Sequence, residues 1–238
     1  MVVKPHSTQT PIPAVLTIAG RNFLADPAGA LFLEEDGALI IADLHLEKGS
    51  AYASRRVFLP PYDTRQILAT LAQLIRLYRP RLVVALGDSF HDTGAGERLG
   101  TEERALLASL QQGRDWIWIA GNHDSERPDG IGGQFLDDFS LGAIRLRHIC
   151  GPLAEGAGEL TGHLHPVAKV RGRGGLLRRR CFLSDGRRSI LPAFGAYAGG
   201  LNIRDEAFSG LFATAEARAH VLGARGVYPF PLQHCLPE

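Results

Sequence analysis

Nine residues carry side chains suited to hydrolytic metal chemistry. They fall in five short clusters: Asp43 with His45, Asp88, Asn122-His123-Asp124, His148, and His163 with His165. Imidazole, carboxylate and amide oxygen all bind divalent ions, and the lack of cysteine in the set argues against a structural zinc site. The mixture suits manganese or iron, with zinc also compatible. In extended chain, residues i and i+2 point the same way. Asp43 and His45 can therefore reach one ion together, and so can His163 and His165. Seven such ligands exceed what one tetrahedral ion takes and suffice for two ions sharing a carboxylate. Two-metal sites, with ions roughly 3.5–4 Å apart, recur in phosphoester hydrolysis. Other signatures are missing: there is no GxSxG nucleophile elbow and no Walker A loop. "GAGERLG" at 94–100 has the wrong spacing for a dinucleotide fingerprint and reads as a loop between Asp92 and the next helix.

These residues act together only if the elements carrying them converge. Three continuous apolar runs, 38–42, 82–86 and 116–120, end respectively in Asp43, in Gly87-Asp88 and in Gly121-Asn122-His123-Asp124. Such runs predict strands buried on both faces, and sites in open α/β sheets form at strand carboxyl ends. Between them, Ile67, Leu68, Leu71, Leu74, Ile75 and Tyr78 recur at helical spacing. Asp63 or Thr64 stands where a cap belongs, and Pro80 stops the helix. A second helix is expected over 101–112, with Leu106, Leu107 and Leu110 inward. Strand–helix alternation implies parallel strands joined by crossovers. The turn signal "EEDG" at 34–37 gives the first of these strands an upstream hairpin partner. Residues 143–148, 159–161, 167–171 and 177–183 are short strand-like runs between glycines and prolines, and predict a second, more antiparallel sheet. The expected fold class is α/β: a sandwich of two sheets flanked by helices, with the metal site at strand carboxyl ends.

Composition narrows the setting. The 238 residues are 45% hydrophobic and 21% charged, as in a soluble globular protein. A net charge of +1 gives no global attraction for polyanions, so nucleic-acid affinity requires a local patch. Three widely spaced cysteines make a disulfide framework unexpected and favour a reducing compartment. The first residues lack an apolar signal region, and no run approaches the ~18 apolar residues of a membrane span. The expectation is a cytoplasmic protein with no membrane contact. Residues 1–13, with three prolines, read as a flexible tail, and 14–238 as a single domain.

The motif order, Asp43-x-His45, Gly87-Asp88, Gly121-Asn122-His123, His148 and Gly162-His163-x-His165, resembles the calcineurin-like binuclear metallophosphoesterases. The wider stretches "ADLHLEKGS", "LPPYDTR", "GDSFHD", "GNHD", "GHLHP" and "LPAFGAYAGGLN" resemble the ligase-associated DNA damage response endonucleases within that group. The resemblance implies that Asp43, His45 and His165 hold one metal and that Asn122, His148 and His163 hold the other, with Asp88 bridging. It also implies that His123 stabilises charge on the phosphate and protonates the leaving oxygen, and that Asp124 orients His123 through a hydrogen bond. His148 departs from the family pattern. Ile149-Cys150-Gly151-Pro152 follows it, where an acidic residue and proline are usual, so its assignment rests on its position. The chemistry implied is attack on phosphorus by a metal-bridging hydroxide, with two divalent ions, manganese first and iron or zinc as alternatives.

Lys169, Arg171, Arg173, Arg178, Arg179, Arg180, Arg187 and Arg188 crowd the region after "GHLHP", opposed only by Asp185. Such a stretch can hold a nucleic-acid backbone or form a solvated hairpin, and strand alternation would split its charges between faces. Arg178, Arg179, Arg180 and His91 are the candidate substrate contacts. The expected function is a two-metal phosphodiesterase that cuts DNA, single-stranded before double-stranded, in repair, with a DNA ligase and a helicase as partners implied by the resemblance. The alternatives are a phosphatase or small-molecule phosphodiesterase using the same site, and a non-catalytic adaptor in a repair complex.

Overall fold

The computed structural model describes residues 12–54, 56–57, 62–124, 128–172 and 174–238. The predicted tail lies outside them apart from Ile12 and Pro13, as do Arg173 of the basic stretch and the leucine and prolines of "LPPYDTR".

The chain opens with β1 (Ala14–Ile18), β2 (Arg21–Ala25), β3 (Leu31–Leu33) and β4 (Ala38–Ile41), paired antiparallel in sequence. Next come α1 (Lys48–Ser54), α2 (Asp63–Tyr78), β5 (Leu82–Leu86), α3 (Ala95–Arg98), α4 (Thr101–Gln111), β6 (Asp115–Ile119) and β7 (Gln134–Leu136). β4, β5, β6 and β7 are parallel and complete a seven-stranded mixed sheet. The expected parallel core is present because β4 and β5 are apolar throughout and β6 nearly so, which suits strands covered on both faces.

β8 (Asp138–Leu141), β9 (Ile144–Arg147), β10 (Gly158–Thr161), β11 (Val167–Gly172), β12 (Gly175–Ser184), β13 (Arg188–Ile190), β14 (Arg218–Gly223) and β15 (Gly226–Pro231) form the second sheet. Most of its pairings are antiparallel, but β9 with β10 and β10 with β13 are parallel. That exception matters for the site. Parallel neighbours end at the same sheet edge, so His148 after β9 and His163 and His165 after β10 emerge together.

The sheets face each other across one core. Phe23, Ile40, Val84 and Ile117 from the first interlock with Ile144, Leu146, Leu160 and Phe182 from the second. The outer face of the first sheet is covered by α2 and α4, through Leu68, Leu71, Leu107 and Leu110 against Leu39, Val83 and Trp118. At about 25 cal/mol per Å² of buried apolar surface, these layers supply the main driving force for folding. Leu106 is only partly buried. α2 ends at Arg79 in the left-handed region, with Pro80 next.

Two local readings change. Neither Asp63 nor Thr64 caps α2, whose N-cap is Tyr62. The Asp63 carboxylate accepts the Gly49 N–H at 2.8 Å, and the Thr64 hydroxyl accepts the Glu47 N–H at 2.9 Å. Both therefore brace the loop just beyond His45. Within "GAGERLG", residues 95–98 form the single helical turn α3 rather than open loop.

No helix among the described residues is long and apolar enough to cross a membrane. On β14, His220 lies buried between Phe182 and Pro229. Burial, then the nearby Arg218 charge, lowers its pKa from 6.5 to about 4. The unfolded chain takes up this proton at a higher pH than the folded one. The folded form should therefore lose stability as pH falls from 6.5 towards 4, by up to about 3 kcal/mol, and level off below. His220→Gln should flatten that limb of urea-denaturation stability against pH. A limb as steep as in the unaltered chain would refute the assignment.

Candidate metal centre

The ligand candidates do not lie on extended chain. β4 stops at Ile41, and Asp43 and His45 follow with φ of 52° and 47°. Asp88 follows β5 at φ 46°, and His163 and His165 follow β10 at 72° and 45°. A non-glycine residue in this left-handed region costs of order 1–3 kcal/mol and persists only where its surroundings hold it. Here they do. The His45 N–H donates to the Asp88 carbonyl at 2.8 Å, and the His163 N–H donates to both Asp43 carboxylate oxygens at 3.1 and 3.0 Å. Two glycines are obligatory in this frame. A Cβ on Gly87, already at φ +78°, would sit 2.3 Å from His148 Nδ1, and one on Gly121 would sit 2.2 Å from the Asp88 backbone nitrogen.

The loops gather two groups of candidate ligands, Asp43-His45-His165 and Asp88-His148-His163, each with its atoms within 4.8 Å of one another. Asp43 and His45 share a group, in line with their spacing. His163 and His165 do not, so the single-ion reading of that pair fails. Both pairs lie on curled, left-handed backbone, where i and i+2 no longer have to point the same way, so spacing alone does not decide the grouping.

Distances test whether metals fit. Ligands bound to one ion at about 2.0–2.2 Å lie about 3.0–3.5 Å apart. His45 Nε2 lies 3.3 Å from His165 Nε2, which is 3.4 Å from Asp43 Oδ1. His148 Nε2 lies 3.2 Å from His163 Nδ1, 3.5 Å from Asp88 Oδ1 and 3.0 Å from Asn122 Oδ1. The Asp88 carboxylate divides between the groups: Oδ1 faces His148, and Oδ2 is 4.0 Å from His45. The donors fit a pair of divalent ions.

The histidines are also prepared electronically. His148 Nδ1 lies 2.9 Å from the Leu86 carbonyl, and His165 Nδ1 lies 3.1 Å from the Ala198 carbonyl. A carbonyl only accepts, so each Nδ1 carries the proton and each Nε2 turns a lone pair into the site. His45 is buried. Burial first, then the neighbouring charges of His165, Lys48, His123 and His91, pushes its pKa down to about 2, so it stands as a neutral donor.

His123 belongs to neither group. Its ring is 42% exposed at the mouth of the site, with Nε2 3.9 Å from Asp88 Oδ2. Its Nδ1 lies 3.0 Å from the His91 carbonyl, and the two rings stack at 5.3 Å. The orienting partner is thus that carbonyl and not Asp124. The Asp124 carboxylate instead accepts the N–H groups of Ser89, Phe90 and Gly121 at 2.7, 3.0 and 3.0 Å. It ties the loop after β5 to the loop after β6 and is a positioning residue. His91 is also not at the mouth: it is buried, with its ring against His45, His123 and Tyr52. The carbonyls of Leu86, His91 and Ala198 were invisible to side-chain reasoning, since any residue type could supply them.

The basic stretch does not act as one patch. Arg188 is buried and paired with the fully buried Glu159, which also pairs with Arg147. Arg178 donates to Glu238 at 2.8 Å and to the Gly200 carbonyl at 2.9 Å. Arg179 is exposed on the other face of β12, and Arg187 donates to the Ala154 carbonyl at 2.9 Å. Arg180 lines a cavity together with Tyr197, Gly195 and Gln66.

A family model for calcineurin-like phosphoesterase matches residues 38–175, from the start of β4 to the turn between β11 and β12. Among solved structures, the crystal structure of Pseudomonas putida nuclease MPE is 26% identical, covers 92% of this chain and 100% of its own, and superposes with a TM-score of 0.70. Yfce, a phosphoesterase from E. coli, is 15% identical over 82% of this chain and 98% of its own, with a TM-score of 0.37. No curated protein matches the chain.

Proposed function

The chain belongs to the calcineurin-like phosphoesterase family, a hydrolase acting on phosphoester bonds, and on that footing we propose that it is a two-metal phosphodiesterase that cuts DNA within a strand. The observation that carries this reading is the full-length likeness to a nuclease, joined to two ligand groups that share the Asp88 carboxylate. Asp43, His45 and His165 would hold one ion, and Asn122, His148 and His163 the other, with Asp88 between them. Bound there, divalent ions supply an activated water and neutralise charge on the phosphoryl oxygens. Manganese suits the imidazole, carboxylate and amide donors, and iron and zinc are the competitors to exclude.

The protein's own groups do the rest. With Nδ1 committed to the His91 carbonyl, His123 presents Nε2 at the mouth. As an imidazolium it donates there to a phosphoryl oxygen and hands its proton to the departing oxygen. Asn122, beside it and exposed, limits where a phosphate can sit. The buried loop after β4 excludes water from behind the ligands.

The likeness to ligase-associated endonucleases supports a role in strand repair beside a DNA ligase and a helicase. Cysteines without a disulfide among the described residues support a reducing, cytoplasmic setting. The core shared by both sheets supports treating 14–238 as a single domain. The test is cleavage of single- and double-stranded oligonucleotides, alongside aryl mono- and diesters, across manganese, iron, zinc and magnesium. Metal-dependent internal cuts in DNA, fastest with manganese and in single strands, are expected. Activity confined to monoesters would replace this reading with a phosphatase.

A further inference from the structure

Beside the metal centre, but lined by none of its ligands, lies a cavity of about 470 Å³, within the ~300–1,000 Å³ range of ligand pockets. Its lining includes Arg180, Tyr197, Gln66 and Thr70 and no carboxylate. Arg180 is half-buried, with Nη1 held by the Ala193 carbonyl at 2.6 Å. No carboxylate pairs with it among the described residues, and desolvation alone shifts its pKa downward. This sets it apart from Arg178, Arg147 and Arg188, each of which has an acidic partner. A desolvated guanidinium without a counter-charge is a binding element for an anion.

The cavity is joined to the metal centre through backbone. Arg180 pairs in register with Val167, two residues beyond His165. Gly195, which lines the cavity, donates its N–H to the Asp43 carbonyl at 3.0 Å, and the Ala198 carbonyl holds His165 Nδ1 at 3.1 Å. The segment from Phe194 to Gly200 is thus a thin wall, with the Asp43-His45-His165 group on one side and Arg180 on the other. An anion bound there would be separated from the Asp43-His45-His165 group by this one segment.

We propose that Arg180 and this cavity form a subsite for the phosphate adjoining the scissile one, so that the protein recognises two consecutive phosphates of a strand. The inference rests on the phosphodiesterase reading of the metal centre and adds a substrate-positioning residue to it. The expected consequence is a preference for esters that carry a second phosphate one nucleoside away.

The experiment uses thymidine bearing a 4-nitrophenyl phosphate at its 5′ or 3′ oxygen, each with and without a phosphate on the other hydroxyl. In the unaltered enzyme, kcat/KM should favour the phosphorylated member of one pair by about 10- to 100-fold, the range of a charge-assisted hydrogen bond. Arg180→Ala should bring that ratio to about one. Arg180→Gln, which removes the charge and keeps an N–H for the Ala193 carbonyl, should do the same and decides the matter if the alanine variant is unstable. No preference in the unaltered enzyme, or a ratio that survives in both variants, overturns the subsite while the phosphodiesterase reading stands. No hydrolysis of any of the diesters sinks both.

Discussion

Replacing Asp88 by Asn is expected to lower kcat/KM on an aryl diester by at least about a thousandfold, the equivalent of the several kcal/mol that metal ions supply to phosphoryl transfer. Asp88 is buried, and its two oxygens face different ligand groups. An amide keeps the shape and the loop but loses the charge that would hold two cations close together. Bound metal, measured by elemental analysis after dialysis, should fall below two ions per chain. Oδ1 also accepts the His123 N–H at 2.9 Å, so the amide must present its oxygen there or disturb the loop after β6. The melting temperature without metal should therefore stay close to that of the unaltered chain. A variant that keeps two ions and activity within tenfold would remove Asp88 from its bridging place.

The second large effect is expected at His123 and has a different signature. His123→Ala should lower kcat on DNA by about 100- to 1,000-fold, in the range of a lost general acid and charge stabiliser. Metal content should be unchanged, because the ring belongs to neither ligand group. The leaving group separates the two roles. 4-Nitrophenoxide departs without a proton, whereas a sugar alkoxide needs one. The loss on an aryl diester should therefore be at least tenfold smaller than on DNA. Equal losses would confine His123 to charge stabilisation, and DNA cleavage within threefold of normal would refute any role. Asp124→Asn should be a weaker variant, since its carboxylate braces two loops and does not touch the His123 ring.

Much of this molecule was legible in its sequence. The continuous runs in β4, β5 and β6 announced a covered parallel sheet, because burial on both faces leaves no place for alternation. The polar residues just beyond them stood out because nothing apolar competes for the end of a buried strand. Other features gave no such signal. α1 is short and lies against α2 through Glu47, Thr64 and Asp63, contacts that no periodicity encodes. β14 carries a histidine within its four buried residues and β15 contains Pro229 and Pro231, so neither shows a clean strand pattern. The split of the arginines between faces was expected from strand alternation, but the partners were not, because sequence records charge and not its partner: Glu159, outside the stretch, pairs with Arg188.

Residue types and their order were enough for the inventory: the two-sheet class, the phosphoesterase family, and imidazoles and carboxylates at strand ends in numbers that suit two ions. Residue types and buried runs are local properties, so they can be read locally. The partition of the ligands required the folded chain. His45 and His165 meet at 3.3 Å across 120 residues of chain, while His163 and His165, two apart, go to different groups. The left-handed backbone at these positions, held by contacts between the two sheets, overrules the extended geometry that their spacing suggests. The same long-range packing chose the Leu86 and Ala198 carbonyls that set the imidazole tautomers, and left Arg180 without a carboxylate at the edge of the cavity.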